Sequence, residues 1–78
     1  MSHVPHELHE EFPGHAETIH RLKQGDAHFT RLADRYHEVN RAIHRAETSI
    51  EPTGDHILET MKKQRLALKD EIASMLTR

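Results

Sequence analysis

Residues 26–50 read "DAHFTRLADRYHEVNRAIHRAETSI", and their apolar spacing decides the fold. Phe29, Leu32, Tyr36, Val39, Ile43, Ala46 and Ile50 follow one another in alternating steps of three and four. That is the seam of a helix packed against another helix in coiled-coil fashion. A helix over 26–50 is a rod of about 37 Å at 1.5 Å per residue. Asp26 suits its N-cap, because a carboxylate there accepts from an exposed backbone N–H of the first turn. Gly25 ends whatever precedes it.

Downstream, "EPTGD" at 51–55 interrupts the pattern. Pro52 removes a donor and restricts Glu51, while Thr53 and Asp55 are candidate caps for a new helix. A connection this short favours antiparallel neighbours. The second long helix, about 55–77, carries the seam Leu58, Met61, Arg65, Leu68, Ile72 and Met75, flanked by Ile57 and Leu76. Folding at Pro52–Gly54 sets Ile50 near Leu58, Ile43 near Arg65, Val39 near Leu68 and Tyr36 near Ile72.

Upstream, "FPGHAETIHRLK" at 12–23 predicts a shorter helix over about 13–24, with Pro13 at its first position. Ala16, Ile19 and Leu22 share one face, and Phe12 covers its entry. Residues 1–11 form a polar, His-rich segment expected to fray, with Leu8 available to pack if the segment joins a helix. The remainder, 12–78, reads as one domain. The fold class is therefore all-α: an antiparallel coiled-coil helical hairpin with a short N-terminal helix.

Composition narrows the function. A chain of 78 residues supports only a marginal core, and without cysteine no disulfide can reinforce it. The net charge of −2 comes from 11 basic and 13 acidic residues of mixed order, so no strong steering toward nucleic acid or anionic lipid is expected. No apolar run approaches a membrane span, and "MSHVPHELHEEFPGH" lacks the cationic start and apolar stretch of a secretory signal. These features predict a soluble, cytoplasmic protein with no membrane partner.

Two residues of the second helix stand out. Arg65 occupies a seam position, where its methylenes can cover apolar neighbours while Glu47 or Glu51 pairs with its charge. A polar seam residue also selects register at some cost in stability, so Arg65→Leu is expected to raise the melting temperature. Leu66 falls roughly 130° from the seam on a wheel of 3.6 residues per turn. Either it is a solitary exposed leucine, or it faces the short helix through Ile19 and Leu22, or it faces another copy. Two helices alone leave much of each seam wet, which favours self-association, a dimer foremost. Ile19, Leu22, Leu66 and Ala73 form the expected interaction surface.

The run "DAHFTRLADRYHEVNRAIHR" followed by "KKQRLALKDEI" at 62–72 resembles the YdcH-like family of small bacterial proteins. "FPGH" at 12–15 and "IHRLK" at 19–23 extend the similarity, which spans roughly 12–76. The resemblance implies a helical hairpin of unknown function in the bacterial cytoplasm. It supplies no catalytic residue, cofactor or established partner.

Other chemistries fit less well. His3, His6 and His9, with Glu10 or His15, offer imidazoles at helical spacing, but without supporting groups they predict no physiological metal site. His6-Glu-Leu-His9 is one residue too short for a metalloprotease motif. His37 and His44, beside Arg41 and Arg45, are candidates for a pH response, with solvated surface histidines as the simpler reading. His28, beside the start of the first long helix, suits a structural hydrogen bond. Arg41, Arg45, Lys62, Arg65 and Lys69 make up basic strips for nucleic acid, yet acids interrupt them and no aromatic platform accompanies them. Regular helices offer neither an evident substrate pocket nor a catalytic triad, so no enzyme and no cofactor are expected. The sequence thus predicts a small protein-interaction or oligomerisation module with an unidentified protein partner; the alternative is an RNA- or DNA-associated accessory protein.

Overall fold

The computed structural model describes residues 4–48 and 54–77. In chain order it contains α1 (Leu8–Glu11), a 3₁₀ turn (Pro13–His15), α2 (Ala16–Gly25), α3 (Ala27–Thr48) and α4 (Asp55–Leu76). The two long helices, α3 and α4, pack against each other as an all-α hairpin. Glu47 near the end of α3 pairs with Lys62 near the start of α4 at 3.0 Å, and Ile72 joins the core with Phe29 at the far end, so the helices run antiparallel. The expected Pro52 corner, the Thr53 cap and the Ile50–Leu58 pair lie outside the described residues.

Local chemistry sets the helix ends. Asp26, in extended backbone conformation, accepts from the Phe29 N–H at 3.0 Å, as an N-cap should. The Thr30 hydroxyl reaches back to the Lys23 and Asp26 carbonyls at 3.0 and 3.1 Å. One non-helical residue, Asp26, thus separates α2 from α3, and the Leu22 and Lys23 carbonyls and the Phe29 N–H at this junction find partners. Pro13 opens the 3₁₀ turn rather than α2 itself. At the start of α4, Asp55 stands in the first turn and not at the cap, which Gly54 occupies without a side-chain hydrogen bond.

The core is asymmetric. On α3 the buried residues are Phe29, Leu32, Ala33, Tyr36, Asn40 and Ile43, whereas Val39 and Ala46 are only half-buried. The buried stripe is rotated about its helix from the expected seam, toward Ala33 and Asn40. The cause is the N-terminal segment, which covers that flank: Leu8 is 2% exposed and Ile19 is buried in the same cluster, with Phe12 and Leu22 packed on it. The fraying expected for 1–11 is therefore corrected for residues 4–11; residues 1–3 lie outside the description. On α4 only Ile72 and Leu76 are buried outright, and Leu58, Met61, Leu68 and Met75 stay half-exposed.

Candidate functional site: the strapped and open faces of the hairpin

The two long helices leave two lateral faces. The N-terminal segment closes one with a set of polar contacts. The Tyr36 hydroxyl donates to the His6 carbonyl at 2.6 Å, and the Asn40 amide donates to the Pro5 carbonyl at 2.8 Å. These side chains, four apart on α3, hold two consecutive carbonyls of one bend in the N-terminal segment. His6 adopts a φ of 63°, an uncommon conformation for a residue other than glycine, which the Tyr36 contact helps to hold. Asn40 is 1% exposed, so its amide oxygen also needs a partner, and Arg65 Nη1 donates to it at 2.9 Å. Arg65 therefore bonds Asn40, and of its two expected partners Glu47 is taken by Lys62 while Glu51 lies outside the described residues.

Charges complete the strap. Lys69 donates to Glu11 at 2.9 Å and holds its carboxyl below the ordinary 4.5 against a desolvation cost, while His6 Nδ1 stands 3.6 Å from the same oxygen. His37 Nδ1 lies 2.9 Å from a Glu7 carboxylate oxygen but is buried without an aligned hydrogen bond, so the contact is chiefly Coulombic. Burial pulls the His37 pKa below 6.5; Glu7 opposes that shift, and Lys23 and Arg41 reinforce it. Burial likewise pushes the Tyr36 phenol up to about 12. Every group here serves the packing of the strap. No nucleophile–base pair is formed among the described residues of the strap.

The opposite face has no cover among the described residues. An open-sided groove of about 440 Å³ runs between α3 and α4, with Val39, Ala67 and Leu68 as its apolar lining and Arg35, Glu38, Gln64 and Glu71 as its polar lining. It continues past Glu71 into a smaller depression of about 230 Å³ at Leu32 and Met75. Ile57, on the same side of α4, is 58% exposed.

The four residues of the expected interaction surface do not come together. Ile19 and Leu22 pack into the strap side of the core, Ala73 is half-buried, and Leu66 is 58% exposed beside the strap, near His6 and Lys69. Leu66 thus does not face Ile19 or Leu22. The basic strips are also divided. Lys62, Arg65 and Lys69 are engaged with Glu47, Asn40 and Glu11, and Arg41 and Arg45 stand apart on α3 among Asp34 and Glu38. Among the described residues no cluster of three or more potential metal ligands is present; His3 lies outside them. His44 is half-buried and His28 exposed on α3. Asn40, Glu7 and Glu11 were not anticipated. The available signal was Asn40 itself, a polar residue four after Tyr36 and three before Ile43 on the packed side of α3.

Residues 29–76, nearly the whole hairpin, match the family model described as protein of unknown function (DUF465). The chain is 35% identical over 65 residues to "Uncharacterized protein YdcH" of Escherichia coli (strain K12), covering 83% of this chain and 88% of that relative. The same identity and coverage hold for "Uncharacterized protein YdcH" of Shigella flexneri. No solved structure matches the chain. No helix among the described residues is long and apolar enough to cross a membrane. The chain belongs to the DUF465 family, in agreement with the YdcH-like resemblance of its sequence.

Proposed function

We propose that this DUF465 family member is a non-enzymatic helical interaction module of the bacterial cytoplasm, which binds a protein partner through the open face of its hairpin. One observation carries the reading: the hairpin is closed on one flank by its own N-terminal segment, while the Val39–Leu68 groove on the other stays half-exposed. Apolar surface flanked by polar residues on a small domain is the usual mark of a protein contact. The engagement of Lys62, Arg65 and Lys69 inside the molecule weighs against the nucleic-acid alternative, which needs free cations to displace counterions.

Affinity capture from lysate, with and without nuclease, tests the proposal on wild-type protein and on a Val39→Asp/Leu68→Asp variant. A partner that survives nuclease and is lost with the variant is the expected result. Capture of nucleic acid alone, insensitive to the variant and steeply dependent on salt, sinks the proposal.

A further inference from the structure

The open face has a pattern of its own. On α4, Ile57, Met61, Gln64, Leu68, Glu71 and Met75 follow at steps of four and three, beside the seam that closes the hairpin. On α3, Arg35, Val39, Ala42 and Ala46 repeat the same spacing on the same side. This stripe shares Val39, Ala46, Met61, Leu68 and Met75 with the hairpin seam and widens it on the open side, where Ala42 and Ala46 permit close approach of another helix. The stripe contains one cation and one anion at matching height, Arg35 on α3 and Glu71 on α4, on opposite sides of one groove. Neither has an ion-pair partner among the described residues.

We propose that the occupant of this face is a second copy of the chain, and that the two hairpins pair about a two-fold axis running along their length into a four-helix bundle. The proposal rests on the interaction reading above and names its partner. Such an axis lays α3 of one copy against α4 of the other, at the height where the two already face each other within one hairpin. Arg35 then meets the partner's Glu71, and Val39 the partner's Leu68, each contact occurring twice because the interface is self-complementary. Every neighbouring pair of helices in the bundle is antiparallel, the usual arrangement of four-helix bundles. A rotation about the perpendicular in-plane axis would place α3 on α3 and forfeit this match of Arg35 with Glu71. Size agrees as well. Two 22-residue helices side by side present a face on the order of 700 Å², close to the roughly 800 Å² per partner of a stable interface.

Sedimentation equilibrium on the full chain tests this. The wild type is expected to form a dimer. Arg35→Glu and Glu71→Arg each set like charges against one another twice and should weaken it by about tenfold, whereas the Arg35→Glu/Glu71→Arg double variant restores it. Leu66→Asp, on the strapped side, should leave the dimer unchanged. A wild type that stays monomeric at the highest attainable concentration overturns the proposal, and if lysate capture through the same face persists, the broader interaction reading survives that failure. A dimer lost with Leu66→Asp but indifferent to both charge reversals also overturns it, since the interface then lies on the other side. Circular dichroism confirms that each variant keeps its helix content.

Discussion

The strapped and open faces belong to the same pair of helices, yet they are built from different materials. On the strapped side α3 presents Ala33, Tyr36, His37 and Asn40, and the chain meets them with Leu8, two carbonyls and the Glu7 carboxylate, while Glu11 reaches Lys69 on α4. On the open side it presents Arg35, Val39 and Ala42, which share the groove only with α4 and have no covering segment among the described residues. Buried polar groups explain the contrast. Tyr36 and Asn40 each require a particular partner at a particular distance, so that flank tolerates few covers. The open flank asks only for apolar area and complementary charge, which a separate chain can supply.

The sharpest way to break this comparison is to remove the strap's apolar anchor. Leu8→Ala should cost about 2–5 kcal/mol in chemical denaturation, as for other fully buried leucines. Val39→Ala, measured on the monomer, should cost about 1 kcal/mol or less. If the two costs are equal, the faces do not differ in the way described.

Next in size is Arg65→Leu. The sequence expectation was a gain in melting temperature, but the replacement leaves the buried Asn40 oxygen without its donor. A loss of about 1–3 kcal/mol is now expected. Arg65→Leu/Asn40→Leu removes the orphaned Asn40 oxygen but also the donor to the Pro5 carbonyl, so any recovery should be partial.

Tyr36→Phe removes one hydrogen bond, to His6, and should cost about 1 kcal/mol at neutral pH. It also changes the alkaline limb. The unfolded phenol ionises near 10 and the folded one near 12, so the folded state retains the proton longer and stability falls as pH rises from 10 toward 12. Urea midpoints measured through that range should decline in the wild type and flatten in Tyr36→Phe.

The smallest effect belongs to His37. Its folded pKa lies below 6.5, so the unfolded chain takes up the proton first and stability is lost as pH falls through 6.5. His37→Gln should shallow that slope between pH 7 and the folded pKa. Glu11, held below 4.5 by Lys69, adds a separate loss only in stronger acid. A wild-type slope of the opposite sign would mean that Glu7 outweighs desolvation.

The parts of this architecture legible in the chain are those governed by local periodicity and capping. The three–four spacing of Phe29 to Ile43 announces α3, and Asp26 caps it. The strap was illegible because its residues carry no such signal. Glu7 and Glu11 look solvated, His6 gives no hint of its left-handed backbone, and the carbonyls that Tyr36 and Asn40 capture belong to every residue alike. Leu66 likewise had several possible neighbours until α2 was placed elsewhere.

By itself, then, the sequence determined that two long amphipathic helices would form and lie back to back, since hydrophobic spacing acts over a few turns and is written residue by residue. Only the tertiary structure decided which flank residues 4–25 would cover. That choice depends on hydrogen bonds between residues 30 and 35 positions apart, and among the described residues it leaves the opposite groove uncovered.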